Sequence, residues 1–323
     1  MRSSTPRRRP LALAVLTLTA ALLPAVPPTA AAGPSASTSA SAPQECAPEV
    51  ATAGGIEVRA KPGAKVPEPP ASGGGPDLLQ GREPVALSAP GSIRVPTSVH
   101  VIAAGPTRAE GYLSPAEVEA QIDVLNTAFA GQGGPGAADT AFRFDTVGTD
   151  WTVNPAWYQM LPGSTAEQQA KTALRDGGDE TLNIYLSGLG GGLLGYAYFP
   201  QQGGDSKPWR DGVVVLNESI PGGAEDDYDG GDTLPHEVGH WLGLYHTFQG
   251  GCSTANDRVT DTPAMAVPTS GCPQGKDTCL KDAGLDPVEN FMDYSYDECM
   301  FAFTPGQAAR MDAVWQAFRA GDR

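Results

Sequence analysis

Three of the chain's four histidines fall within eleven residues, His236-Glu237-Val238-Gly239-His240-Trp241-Leu242-Gly243-Leu244-Tyr245-His246. On a helix, positions four apart differ by about 400° of rotation and about 6 Å of rise, so His236 and His240 project from one face toward one point. Two imidazoles can therefore share one metal ion. A helix continued through His246 would turn that residue roughly 240° past His240 and away from the metal, so the chain must turn first. Gly243 permits the turn, because glycine takes the left-handed conformation that ends helices without a Cβ penalty. The helix is expected to begin near Asp232, a good N-cap residue, with Pro235 inside its first turn. Glu237 lies beside the first histidine but is rotated off the metal, which suits a base acting on water better than a fourth ligand. Three protein ligands leave one position open, and zinc so bound lowers the pKa of its water to about 7. A chance H-E-x-x-H in a chain this poor in histidine has odds of roughly one in several hundred, and Gly243 with His246 makes chance far less credible. His100 stands alone in Val99-His100-Val101-Ile102 and reads as a hydrogen-bonded strand residue.

The elements that must hold this site begin well downstream of the N-terminus. Residues 1–32 have the form of an export signal: Arg2 and Arg7 to Arg9, an apolar run from Leu11 to Val26, then Ala30-Ala31-Ala32. No other stretch has the eighteen or so apolar residues that span a bilayer, so a secreted, extracellular protein without membrane attachment after signal removal is expected. The signal holds four arginines and no other charge, so its removal takes the net charge from −16 to −20. Such an acidic surface disfavours nucleic acid and attracts cationic substrates. Residues 33–92 are rich in Gly, Pro, Ala and Ser and read as a pro-segment or linker. From residue 93 to 323 the pattern is that of one catalytic domain.

Within that domain, Arg94 to Ile102 reads as an opening strand and Ser114 to Phe129 as a helix with a serine cap and Glu117 three residues later. Residues 141–146 and 150–157 read as strands, 165–174 as a helix, 182–186 and 213–216 as strands, and 307–319 as a closing helix. Gly190 to Gly195 formally matches G-x-G-x-x-G. A dinucleotide site would need a helix next, but Tyr196-Ala197-Tyr198-Phe199 is strand-like, so a glycine-flanked edge strand fits better. Its free backbone groups would pair with an extended peptide at Leu193, Leu194, Gly195 and Tyr196. Cys252, Cys272, Cys279 and Cys299 follow the histidine motif, and export permits disulfides in any of three pairings. Cys46 falls in the pro-segment, where its thiolate is a candidate latency ligand for the open metal position.

With these features in place, the chain resembles the metzincin zinc metallopeptidases and, among them, the pappalysin family. The residues that carry the likeness are His236 to Phe248, Asp261-Thr262-Pro263, Asn290 to Ser295, Cys299-Met300, Phe303-Thr304, Gln307, Arg310-Met311, and upstream Leu182 to Pro200. It spans roughly residues 93 to 323. The resemblance implies an α+β fold: an N-terminal subdomain with a twisted, mostly parallel sheet and the active-site helix, and a smaller, irregular, disulfide-bonded C-terminal subdomain ending in a helix. It further implies zinc on His236, His240 and His246, Met292 as the hydrophobic base beneath them, and Tyr294 as a hydrogen-bond donor to the oxyanion. The cysteines would pair Cys252 with Cys279 and Cys272 with Cys299. Asp297 would receive a basic substrate residue just after the scissile bond, and Ca2+ would be an additional ion near Asn256, Asp257, Thr260 and Asp261, although no EF-hand spacing is present. The expected activity is a secreted zinc endopeptidase acting on proteins or peptides. The competing readings are a non-catalytic secreted zinc-binding module, a metal-dependent esterase or amidase, and a cell-surface protein whose zinc only holds the fold. Oligomeric state cannot be read from the sequence.

Overall fold

The computed structural model describes residues 56–64, 77–200 and 207–321. Six strands, β1 (Ile56–Ala60), β2 (Ile93–Ala103), β3 (Phe142–Val153), β4 (Leu182–Ser187), β5 (Leu193–Tyr198) and β6 (Val213–Leu216), form one sheet in the order β1-β5-β6-β4-β2-β3. The pairs β2–β3, β2–β4 and β4–β6 are parallel, whereas β5 runs antiparallel to β6 and β1 antiparallel to β5. Parallel strands buried on both faces read as unbroken apolar runs. Val213-Val214-Val215-Leu216 is such a run. Val213 and Val215 join the cluster that holds Leu125, Val238, Trp241 and Met311, while Val214 joins Tyr185, Tyr196 and Ala170 on the other side. Helices α1 (Pro115–Phe129), α3 (Thr233–Trp241) and α4 (Pro305–Phe318) thus share one face, and α2 (Thr165–Leu174) covers the other.

Local chemistry sets the helix starts. The Ser114 side chain accepts from the Glu117 amide at 3.3 Å and the Glu117 carboxylate accepts from the Ser114 amide at 2.7 Å, a reciprocal cap. Thr304 and Gln307 repeat the arrangement at the start of α4. At α3 the outcome differs from expectation. Asp232 occupies the N-cap position but is already in a helical conformation and makes no side-chain capping bond. The carboxylate of Asp297 instead holds the turn that leads into the helix, accepting from the amides of Gly230, Gly231 and Asp232 at 3.0, 3.1 and 3.3 Å.

Two further differences follow from tertiary pairing. The segments 141–146 and 150–157 form one strand, β3, whose register against β2 skips Val147 between the pairs Thr97–Thr146 and Ser98–Gly148. This bulge breaks the alternation that made the strand look divided. After Val153 the chain turns at Asn154, whose side chain accepts from the Ala156 amide at 3.0 Å. Within 33–92, where composition offers no regular elements, Ile56–Ala60 is a strand and Leu78 packs with Phe199, Tyr245 and Val314. Between α3 and α4 the chain is almost without regular elements. The disulfides Cys252–Cys279 and Cys272–Cys299 tie this region.

Candidate metal centre and peptide cleft

Helix α3 is buried along its whole length. Its C-terminus is closed by Gly243 at φ +89°, with bonds from the Gly243 amide to the His240 carbonyl (2.8 Å) and from the Leu244 amide to the Gly239 carbonyl (2.9 Å). A Cβ at Gly243 would lie 2.8 Å from the Val314 methyls, so both conformation and space call for glycine. The reversal brings His246 back. His240 Nε2 lies 3.0 Å from His236 Nε2 and 3.1 Å from His246 Nε2.

The donor set fits a metal ion. His236 Nδ1 is 2.6 Å from the Phe291 carbonyl and His240 Nδ1 is 2.7 Å from the Leu244 carbonyl. A carbonyl only accepts, so each Nδ1 carries the proton and each Nε2 presents a lone pair. Burial holds all three rings neutral, joined for His236 and His240 by the neighbouring imidazoles: His236 lies well below its ordinary pKa, and His240 and His246 are pushed down to about 3. Converging lone pairs at 3 Å repel unless a cation lies between them. Nitrogen ligands, fixed tautomers and a tight trio suit zinc.

The loop Asn290 to Tyr294 lies beneath. Asn290 exchanges two hydrogen bonds with Gln307 at 2.9 and 3.0 Å, and its side chain accepts from the Met292 amide at 3.0 Å. Met292 Sδ sits 2.5 Å from where a Cβ on Gly239 would be, so the missing side chain lets the sulfur press against the helix between the two ligands. The Thr247 amide donates to the Met292 carbonyl at 3.1 Å, joining this loop to the third histidine.

Glu237 points from α3 toward β5. A Cβ at Gly195 would lie 2.7 Å from Glu237 Oε1, so the cleft needs glycine there. Burial pushes the Glu237 carboxyl well above its usual range, and Oε2 has no protein partner. Strand β1 occupies the cleft along β5, with Val58 opposite Tyr196, Arg59 opposite Gly195 and Ala60 opposite Leu193. The Val58 carbonyl accepts from the Tyr294 hydroxyl and lies 3.1 Å from His246 Nε2. The Arg59 amide donates to Glu237 Oε1 at 3.2 Å. The Arg59 guanidinium is fully buried and meets Asp297 Oδ1 at 2.9 Å, the Ser295 carbonyl at 2.8 Å and Thr233 Oγ1 at 3.0 Å.

The fold therefore brings His236, Glu237, His240, His246, Tyr294 and Asp297 to one cleft. Of the β5 residues, Gly195 faces Glu237, whereas the Tyr196 side chain packs on the α2 face of the sheet and Leu194 packs with Leu216 and Tyr228. Tyr196 and Leu193 share the apolar cluster on the α2 face with Val58 and Ala60 of β1, away from Glu237. In the loop after His246, Asp261 is engaged by Thr304 Oγ1 and the Gly306 amide at 2.8 Å each, and Asp257 accepts from the Val259 amide. His100 hydrogen-bonds Asp150 and Asn183 at 2.6 and 3.0 Å, away from the cleft. Cys46 lies outside the described residues. Sequence reasoning missed Glu57, Val58, Arg59, Thr233 and Gln249. The one signal available was the alternation Ile-Glu-Val-Arg-Ala inside the proline-rich segment.

Residues 180–316 match the family model for peptidase M43, described as pregnancy-associated plasma protein-A. The chain is 48% identical over 238 residues to an extracellular metalloprotease of Verticillium alfalfae, covering 72% of this chain and 80% of that one. It is 45% identical over 231 residues to an extracellular metalloprotease of Pyricularia oryzae, covering 71% and 77%. Among solved structures, mature mirolysin of Tannerella forsythia in complex with a cleaved peptide superposes with a TM-score of 0.57 at 29% identity, covering 70% of this chain and 96% of that one. A promirolysin mutant of the same organism gives 0.58 at 30% identity, covering 71% and 82%.

Proposed function

Because the chain belongs to the pappalysin family of metzincin metallopeptidases, a secreted zinc metalloprotease by that membership, we propose that it is an endopeptidase with Glu237 as general base and with preference for a basic residue just after the scissile bond. Zinc held by His236, His240 and His246 would supply the Lewis acidity that polarises a peptide carbonyl and makes water a nucleophile near neutral pH. Glu237 takes a proton from the attacking water and delivers it to the departing nitrogen. The position of the Arg59 amide, 3.2 Å from Glu237 Oε1, supports that shuttle. Tyr294 donates to the oxygen on which charge develops, a role supported by its bond to the Val58 carbonyl. Met292 and Gly243 hold the ligands in place and touch no substrate.

One observation carries the specificity: the Arg59 guanidinium lies fully buried against the Asp297 carboxylate. A buried cation needs a partner and hydrogen-bond acceptors, and this pocket offers three oxygens for it. A neutral side chain would leave Asp297 Oδ1 without its cationic partner, the three backbone amides serving only Oδ2. Pairing of β1 with β5 likewise supports an extended peptide as the substrate class. The precursor form named for the promirolysin relative supports reading residues 33–92 here as a pro-segment; its Cys46 is a candidate latency ligand on the ground that a thiolate binds zinc strongly.

The test compares wild type with Glu237→Ala on casein and on a peptide pair differing only in Arg or Ala after the cleaved bond. The variant should be folded, zinc-loaded and inactive, and wild type should prefer the Arg peptide by on the order of 100-fold in kcat/KM. Proteolysis by the variant sinks the base assignment; equal rates on the two peptides sink the specificity.

A further inference from the structure

We propose that Gln249 is a specificity residue: its side-chain amide and His246 Nδ1 form a buried pocket of two donors that selects a glutamate two residues ahead of the basic one. This rests on the endopeptidase reading above and narrows its substrates to extended peptides with a carboxylate at the second position before the scissile bond.

Strand β1 lies along β5 as a peptide would, and alternate residues of a strand share one face. With Arg59 against Asp297, Glu57 is turned to the same side and is buried there. Val58 and Ala60 are turned to the other side, into the cluster of Tyr185 and Tyr196. Both carboxylate oxygens of Glu57 accept from Gln249 Nε2, at 3.2 and 3.0 Å, and Glu57 Oε2 lies 3.1 Å from His246 Nδ1.

The direction of the Gln249 amide is fixed by its own loop. The His246 backbone N–H can only donate, and Gln249 Oε1 accepts from it at 2.7 Å, so the NH2 end is the one presented to the cleft. The Gln249 backbone amide donates in turn to the His246 carbonyl at 3.0 Å, and the residue is buried. His246 supplies the second donor. Nδ1 of His236 and of His240 each meet a carbonyl, whereas His246 Nδ1 has no such partner among the described residues and faces Glu57. Stacking on Phe248, with ring centroids 4.7 Å apart and planes at 10°, sets that direction. With Nε2 turned toward the other two histidines, Nδ1 is the nitrogen left to carry the proton.

Two donors converging in a buried pocket call for a side chain that only accepts, and a carboxylate satisfies both. Glutamine would turn its own NH2 toward a donor, leucine would leave both protons unmatched, and lysine would add a further donor. Arg59 and Glu57 thus mark two anchors on one face of the strand, a cation against Asp297 and an anion against Gln249, with the residue between them turned away.

The experiment measures kcat/KM of the secreted wild type on peptides of the sequence Ile-Glu-Val-Arg-Ala-Lys in which only the Glu is varied. The Glu peptide should be cut about 10- to 100-fold faster than the Leu one and at least about fivefold faster than the Gln one. Gln249→Leu should bring the Glu-to-Leu ratio near one. Gln249→Glu, which keeps an acceptor for the His246 amide but replaces the donor, should take the Glu peptide below the Gln one. A second readout needs no turnover. In the full zinc-loaded Glu237→Ala chain, where β1 is itself the occupant, Glu57→Leu and Gln249→Leu should each quicken amide hydrogen exchange along β5, and the double variant should exchange no faster than the faster single one. A wild type that cuts the Glu and Leu peptides equally well overturns the proposal and leaves the endopeptidase reading standing. So do effects of Glu57→Leu and Gln249→Leu that simply add. A zinc-loaded wild type that cuts none of the peptides and no casein brings down both.

Discussion

Gly195 carries no side chain at the point where Glu237 needs room. A Cβ would stand 2.7 Å from Oε1 and 2.8 Å from Cγ of that glutamate, inside any real contact distance. Gly195→Ala should therefore displace the carboxylate proposed as general base while leaving β5 paired with β6, where Gly195 lies opposite Val215 in unbroken register. Misplacement by an ångström is costly in a proton shuttle, so kcat should fall at least about tenfold with the circular dichroism spectrum unchanged. A variant with wild-type kcat would show that Glu237 tolerates displacement. The need for this glycine was invisible in the chain, because it arises where α3 meets β5 across a long sequence separation. The histidines and Glu237 were legible for the opposite reason: helical periodicity alone places them. Asp297 is intermediate. Its position came from family likeness, whereas its three bonds to the amides ahead of α3 and its contact with Arg59 come only from the fold.

At the scale of elements, what could be read were those whose signals are local. Helix α1 announces itself by Ser114 and Glu117, and α4 by the apolar spacing that follows Thr304. Strand β3 was harder, since one bulge at Val147 disguised a single strand as two. Strand β1 was illegible. Five alternating residues inside a proline-rich stretch have too little burial of their own to stand as a strand, and they become one only against β5. The region between α3 and α4 lacks such ladders and depends on its cross-links, each spanning a sequence separation of 27. Closing loops of that length constrains the unfolded chain by about 3–4 kcal/mol per bridge. Replacing Cys272 and Cys299 by alanine should lower the melting temperature by roughly 6–16 °C for a domain of this size. Activity on Arg-containing peptides should fall at temperatures where the rest of the fold is intact, because Tyr294, Ser295 and Asp297 lie within the loop that this bridge closes. Differential scanning calorimetry beside peptide kinetics would read both. Unchanged melting would mean that packing around Phe248, Met265 and Tyr294 suffices without the cross-link.

Across the whole molecule, the metal centre and the hydrophobic core are adjacent but separately built. The main cluster runs from Ile93 through Leu125, Val215, Trp241 and Met292 to Trp315, and it is closed by side chains that need no ion. Zinc would relieve the mutual repulsion of three buried imidazole lone pairs and so stabilise the native state without creating it. That separates a catalytic metal from a purely structural one. If zinc only held the fold, chelation would unfold the chain outright. Here chelation should abolish proteolysis while the far-UV spectrum is retained. A ligand present at a thousandfold over its dissociation constant adds about 4 kcal/mol, so stripping it should lower the melting temperature by roughly 8–16 °C. Added zinc should restore both activity and melting temperature. Loss of secondary structure at the moment of chelation would contradict this division of labour, and persistence of activity in the chelated chain would remove the metal from the chemistry altogether.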